Sequence, residues 1–187
     1  MAVQLPSPKD RNLYLAQQVD QDSINKITRS IIDINDDDKY IIKLSKISGF
    51  TYNPSPIKLH IDSYGGQVYQ CLGLLGVMRK SEIPIHTIVT GCAMSCGFLI
   101  SIAGHRRFCY DSSTLLYHQV GGGVGGKLKD MQEQIIEVIK LQDIVEKHTI
   151  EHTKLNAKQL KDCFSGKKDW HLNAKEALKY GCVDEII

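Results

Sequence analysis

The residues best suited to chemistry are Gly91-Cys92-Ala93-Met94-Ser95-Cys96-Gly97, where one hydroxyl sits among small neighbours. Before it, Ile83–Thr90 alternates β-branched residues as a buried strand does, and after it Phe98–Ala103 is almost continuously apolar. The pattern predicts a strand-to-helix change with Ser95 at the first helical turn. The amide N–H groups left unpaired by a helix start could hold an oxyanion while the hydroxyl attacks a carbonyl, which is acyl transfer. A serine there serves equally well as an N-cap, so its partners must decide. His118 closes the apolar run Thr114–Gln119, and an imidazole can take a proton near neutral pH, although a histidine at a strand end is also a common structural hydrogen-bonding group. Asp169, followed by Trp170-His171-Leu172-Asn173-Ala174, is either the carboxylate that orients a histidine or a surface loop residue; Asp162 and Asp111 are the other candidates for that position. Asp62-Ser63-Tyr64-Gly65-Gly66 ends a strand with two glycines, which lets backbone come close to a substrate where ligands of open α/β sheets gather.

Two further motifs imitate known sites. Gly121–Lys127 contains G-x-x-x-x-G-K, but Leu128 stands where a phosphate loop needs Ser or Thr for Mg²⁺. A glycine-rich stretch of this kind is suited instead to lie beside an extended peptide and exchange backbone hydrogen bonds. His148 and His152 are one helical turn apart without an HExxH frame, so a solvated helix face is expected, and no metal or other cofactor is assigned. The six cysteines (71, 92, 96, 109, 163 and 182) form no CxxC and read as reduced, mostly core thiols.

Positioning these residues requires alternating strands and helices. At 187 residues, 42% hydrophobic and 24% charged, the chain reads as one domain, 1–187, with enough core to need no staples. A net charge of +2 gives no case for nucleic acid. Residues 1–10 hold two prolines and no long apolar run, which predicts a loose arm, no secretory signal, no membrane span and a cytoplasmic location. A strand over Asn12–Gln17 precedes a helix over Gln21–Asp33 that ends at the polar run Asn35–Asp38. Tyr40–Tyr52 fits a short strand or a helical extension equally. A strand at Ile57–Ile61 and a helix at Gln67–Arg79 lead to the Ser95 unit, followed by short strands at Arg107–Tyr110 and Thr114–Gln119. Leu128 to about Thr153 is a long helix carrying Met131, Ile135, Val138, Ile139 and Leu141. A helix from Asn156 turns Leu160 and Phe164 inward, and Asn173 caps a last helix closed by Gly181 and a final strand. The class is α/β with a largely parallel sheet.

In order and spacing, Asp62-Ser-x-Gly-Gly66, Gly91-x-Ala-x-Ser95-x-Gly97, Tyr117-His118-Gln119, Asp169-x-x-Leu-x-Ala174 and Tyr180-Gly-x-Val-Asp184 resemble the Clp protease proteolytic subunit, a ClpP-like serine peptidase family. The resemblance spans residues 57–187. It implies a ClpP/crotonase-like layered β-α superhelix with a projecting handle helix over about 127–153. It makes Ser95 the nucleophile, His118 the general base and Asp169 its orienting carboxylate, with the backbone N–H groups of Gly66 and Cys96 as the oxyanion hole. A substrate peptide would lie between Gln67 and Val68 on one side and Gly121, Gly122 and Gly123 on the other. The implied partners are polypeptide substrates, copies of the chain in a heptameric ring stacked as a tetradecamer, and a separate AAA+ unfoldase. The chain departs from the family pattern at Tyr64 and Val120, each in place of a usual proline, at Lys168 in place of a frequent arginine, in the 40–53 region, which looks like extra chain, and in the short N-terminal arm. A crotonase-like acyl-CoA hydratase or hydrolase and an inactive ring subunit are the competing readings.

Overall fold

A computed structural model describes residues 10–166 and 169–187; residues 1–9, Lys167, Lys168 and the Phe164 side chain lie outside the described residues. The expectations for the N-terminal arm and for Lys168 therefore fall outside them as well. Strand β1 (Asn12–Leu15) alternates exposed and buried side chains. Helix α1 (Gln21–Ser48) starts at a reciprocal cap: Ser23 N–H donates to Asp20 Oδ1 at 2.8 Å, and Asp20 N–H donates to Ser23 Oγ at 3.0 Å.

α1 does not stop at the polar run. Its 28 residues run on to Ser48, where Gly49 with a φ of 72° ends it, so the 40–53 region begins as helix. The run acts as a contact face. Asn35 Oδ1 accepts the N–H groups of Glu82 (2.8 Å) and Ile83 (3.2 Å). Asp38, only 1% exposed, accepts hydrogen bonds from Arg11 and from the Tyr52 hydroxyl at 2.5 Å each. A carboxylate with two such donors can be buried mid-helix, where an unpaired one would end the helix.

The remaining elements are β2 (Ile57–Ser63), α2 (Val68–Lys80), β3 (Ile85–Met94), α3 (Cys96–Ile102), β4 (Arg106–Cys109), β5 (Thr114–Tyr117), α4 (Leu128–His152), α5 (Ala157–Ser165), β6 (Trp170–Asn173), α6 (Ala174–Lys179) and β7 (Glu185–Ile186). The sheet runs β1-β2-β3-β4-β7, with β5 joined to β3 and β6 joined to β5. All pairs are parallel except β5–β6. This is the α/β class with a mostly parallel sheet.

β3 is the element that places the site. Its first half, His86–Val89, pairs with β4, and its last residues, Cys92–Met94, pair with β5. The strand that delivers Ser95 thus lies against the strand that delivers His118. β6 is missing from the sequence-level expectation because four residues with one buried side chain carry little periodic signal.

The core gathers Leu15, Ile57, Leu59, Ile61, Leu74, Phe98, Ile100, Leu115, Tyr117, Leu160 and Leu172 between sheet and helices. In α4 only Leu141, Val145 and Thr149 are buried, all in its second half. Ile135, Ile136 and Ile139 in the first half are exposed, so most of the expected apolar set faces away from this chain's core. Asn173 caps α6 together with Glu176, and Gly181 (φ 68°) follows it, as expected. Among the described residues no helix is long and apolar enough to cross a membrane.

Candidate active site

Ser95 stands between β3 and α3 with φ 54° and ψ −120°, and it is the only non-glycine residue with positive φ among the described residues. A conformation this sparsely populated costs on the order of 1–3 kcal/mol and persists only where the surroundings impose it. Those surroundings are identifiable. Ser95 N–H donates to Leu116 O of β5 at 3.0 Å, and Ser95 O accepts Leu99 N–H at 3.2 Å, so the residue is held from the strand and from the helix at once. The chain turns sharply here and presents the side chain at the end of the sheet, as strained nucleophile turns do.

The glycine turn after β2 packs onto this corner. A Cβ on Gly65 would lie 2.7 Å from both Met94 O and Ser95 Cβ, and one on Gly97 would lie 2.9 Å from Ser63 O. Gly66 (φ 149°) approaches Val19 so closely that a Cβ would meet Val19 O at 2.3 Å. Val19 holds the turn from outside: its N–H donates to Gly65 O (2.8 Å), and its carbonyl accepts Gln67 N–H (2.7 Å). Ser63 Oγ ties the same segment to Gln17 O at 2.6 Å. The N–H groups of Gly66 and Cys96 lie close to the Cys96 thiol, whose pKa is lowered first by its hydrogen bond with Cys71 and, against burial, by these two amides as well. Val19 is a site-building residue absent from the sequence reading. The Gly-Gly pair signals the turn, while nothing in the sequence marks the valine that clamps it.

Ser95, Cys96, Gly66, Val68, His118 and Gly121 line one cavity of about 260 Å³, with Leu99, Tyr117 and Val145 giving it apolar walls. Gln67, Gly122 and Gly123 do not line it. His118 is half-buried just past the end of β5. Among the described residues it makes no hydrogen bond to Ser95 or to Asp169. The β5–β6 register, Tyr117 against Trp170, brings His118 and Asp169 to the next facing position across the antiparallel pair. The exposed Asp169 nevertheless lines a different cavity of about 380 Å³, which it shares with Asp162, Cys163 and Trp170. Asp111 is exposed in the turn after β4 and lines neither cavity.

The thiols near Ser95 are structural. Cys96 Sγ donates to Gly66 O at 3.3 Å, and Cys71 Sγ lies 3.6 Å from Cys96 O. The bond to Cys96 and burial both push the Cys71 thiol pKa up. His148 and His152 are not the solvated pair expected: His148 Nε2 donates to Leu99 O at 3.0 Å, and its ring lies 4.2 Å from that of His152.

The family model for Clp protease matches residues 7–187. The chain belongs to the Clp protease family. Similar family members include the ATP-dependent Clp protease proteolytic subunit of Deinococcus radiodurans, 30% identical over 183 residues, covering 96% of this chain and 81% of the relative. Another is the ATP-dependent Clp protease proteolytic subunit 1 of Prochlorococcus marinus strain NATL2A, 27% identical over 180 residues, covering 95% of this chain and 84% of the relative. The family match extends upstream of residue 57, over β1 and α1, where the short sequence motifs do not reach.

Proposed function

We propose that this Clp family chain is a serine endopeptidase subunit that cleaves peptides or unfolded polypeptides through an acyl-enzyme. Ser95 Oγ attacks the scissile carbonyl, and His118 takes its proton and returns it to the leaving amine. The oxyanion is received by the N–H groups of Gly66 and Cys96. Asp169 orients His118 and stabilises its cation once the two side chains turn toward each other across β5 and β6; catalytic hydrogen bonds are often long or open before substrate binds. The Gly121–Gly123 backbone, exposed beside the cavity, is suited to pair with an extended peptide, with Gln67 and Val68 on the opposite side.

The observation that carries this reading is the strained Ser95 corner, which shares a cavity with His118, Gly66 and Cys96. Chemistry of this kind needs no metal or nucleotide in the chain. The exposed isoleucines of α4 support self-association, read here as the family's heptameric ring and stacked tetradecamer. The names of the relatives suggest an ATP-driven unfoldase as a further partner.

A fluorophosphonate probe added to the assembled full chain tests the reading. One adduct on Ser95, lost in Ser95→Ala, together with hydrolysis of a fluorogenic peptide, is the expected result. The open His118 geometry favours one competitor, an inactive ring subunit. A folded, ring-sized particle that neither labels nor cleaves would establish that competitor and refute the peptidase reading.

A further inference from the structure

His118 lies on a segment leaving the sheet, and its position depends on how that segment is held on either side. Upstream, Tyr117 is 1% exposed and packs its ring 5.6 Å from Phe98, so the end of β5 is fixed in the core. Downstream, Val120 is partly buried against the same core, and its N–H needs an acceptor. It finds one in a side chain of α4: Val120 N–H donates to Gln142 Oε1 at 2.8 Å. The other end of that amide donates from Nε2 to Glu146 Oε1 at 3.1 Å, one helical turn further along α4. Chemistry fixes the orientation of the amide, since a backbone N–H must meet the oxygen and a carboxylate must meet the NH₂.

We infer that Gln142 is a positioning residue for His118: by taking the Val120 N–H it holds the strap His118–Gln119–Val120 against α4, so the imidazole stays at the Ser95 cavity. The inference rests on the reading of His118 as general base, and it adds a residue that touches neither substrate nor the reacting atoms. Without an acceptor the half-buried Val120 N–H would turn toward water and rotate the peptide units next to His118. A proton acceptor tolerates little displacement, and about 1 Å can cost roughly a hundredfold in rate.

The test compares Gln142→Met, which keeps the length but has no comparable acceptor, with the exchanged pair Gln142→Glu/Glu146→Gln, which keeps an acceptor for Val120 N–H and a donor facing it one helical turn along α4. Three quantities are read on the assembled chain: hydrogen–deuterium exchange of the segment around Val120, the fluorophosphonate labelling rate at Ser95, and kcat and KM for a fluorogenic peptide. Gln142→Met is expected to speed exchange at Val120 and to lower kcat and labelling by roughly 10- to 100-fold, the scale of leaving one buried donor unpaired, with KM changed by less than about threefold. The exchanged pair Gln142→Glu/Glu146→Gln is expected to hold slow exchange and keep kcat within about threefold of the parent, because the carboxylate at 142 accepts the same N–H and the amide at 146 donates to it.

Faster exchange in Gln142→Met with unchanged kcat would overturn the positioning role and leave the peptidase reading intact. Equal losses in Gln142→Met and in the exchanged pair Gln142→Glu/Glu146→Gln would overturn it too. A parent chain that fails to label or cleave refutes the peptidase reading instead; exchange at Val120 that is the same in the parent and Gln142→Met would separately refute the anchor.

Discussion

His148 makes the chain's stability sensitive to acid in a way that can be worked out from its surroundings. It lies in α4 with Nε2–H donating to Leu99 O of α3, and it faces Arg79 of α2, His105 beyond α3, and Glu151 and His152 of its own helix. Burial pushes its pKa down from 6.5 to about 4. Arg79 and His152 act in the same direction, while the Leu99 carbonyl and Glu151 oppose it. The folded chain therefore holds this imidazole neutral over a range in which the unfolded chain protonates it. Stability is complete above pH 6.5 and is lost as pH falls from there toward 4. At roughly 1.4 kcal/mol per pH unit, the loss from this one group between pH 7 and pH 5 is about 2 kcal/mol. The side-chain amide in the variant His148→Gln can still donate to Leu99 O but does not titrate. Urea unfolding of the parent and His148→Gln at pH 7 and pH 5, at one protein concentration, should show the parent losing about 2 kcal/mol more than the variant. Parallel pH dependence in the two proteins would refute the reasoning, as would direct observation of His148 titrating near its ordinary value in the folded chain. Leu99 also lines the Ser95 cavity and bonds to Ser95 O, so loss of this contact would reach the site as well as the core.

Other substitutions test the framework around the site. Gly65→Ala places a methyl 2.7 Å from Met94 O and Ser95 Cβ at a φ of 94°. It is expected to cost roughly 2–4 kcal/mol in urea unfolding and to abolish Ser95 labelling. Asp38→Ala removes the shared acceptor of Arg11 and Tyr52 and should destabilise by about 3 kcal/mol, the scale of breaking a buried ion pair; a change under about 0.5 kcal/mol would show that the pair contributes no net stability. Asp169→Ala should reduce kcat by roughly 10²- to 10⁴-fold with little change in unfolding midpoint. If Asp162→Ala has that effect and Asp169→Ala does not, the orienting carboxylate is the other acid of the same cavity.

The elements around the site are readable where local chemistry is strong. Alternating β-branched residues mark β3, an Asn-x-x-Glu cap marks α6, and paired glycines mark the turn that meets Ser95. Reading fails where a residue's local meaning depends on distant chain. Asn35–Asp38 looks like a helix end, because acidic and amide side chains compete with helical hydrogen bonds. Here Arg11 and Tyr52 both engage Asp38 Oδ1, and the N–H groups of Glu82 and Ile83 engage Asn35, so these two side chains turn to distant chain and the helix continues. The exposed isoleucines of α4 have helical spacing, but spacing alone does not tell a core face from one turned away from the chain.

The chain's sequence by itself determined the class of fold, the family, and the residue types available for acyl transfer, because these depend on local periodicity and on ordered short motifs. The tertiary structure decided what brings those residues together. Splitting β3 between β4 and β5 sets Ser95 beside His118, Val19 ties down the glycine turn, and Gln142 takes the Val120 N–H. Each of these is a contact between residues 20 or more positions apart with a backbone group, which every residue carries, on at least one side, and so local sequence does not announce it in advance.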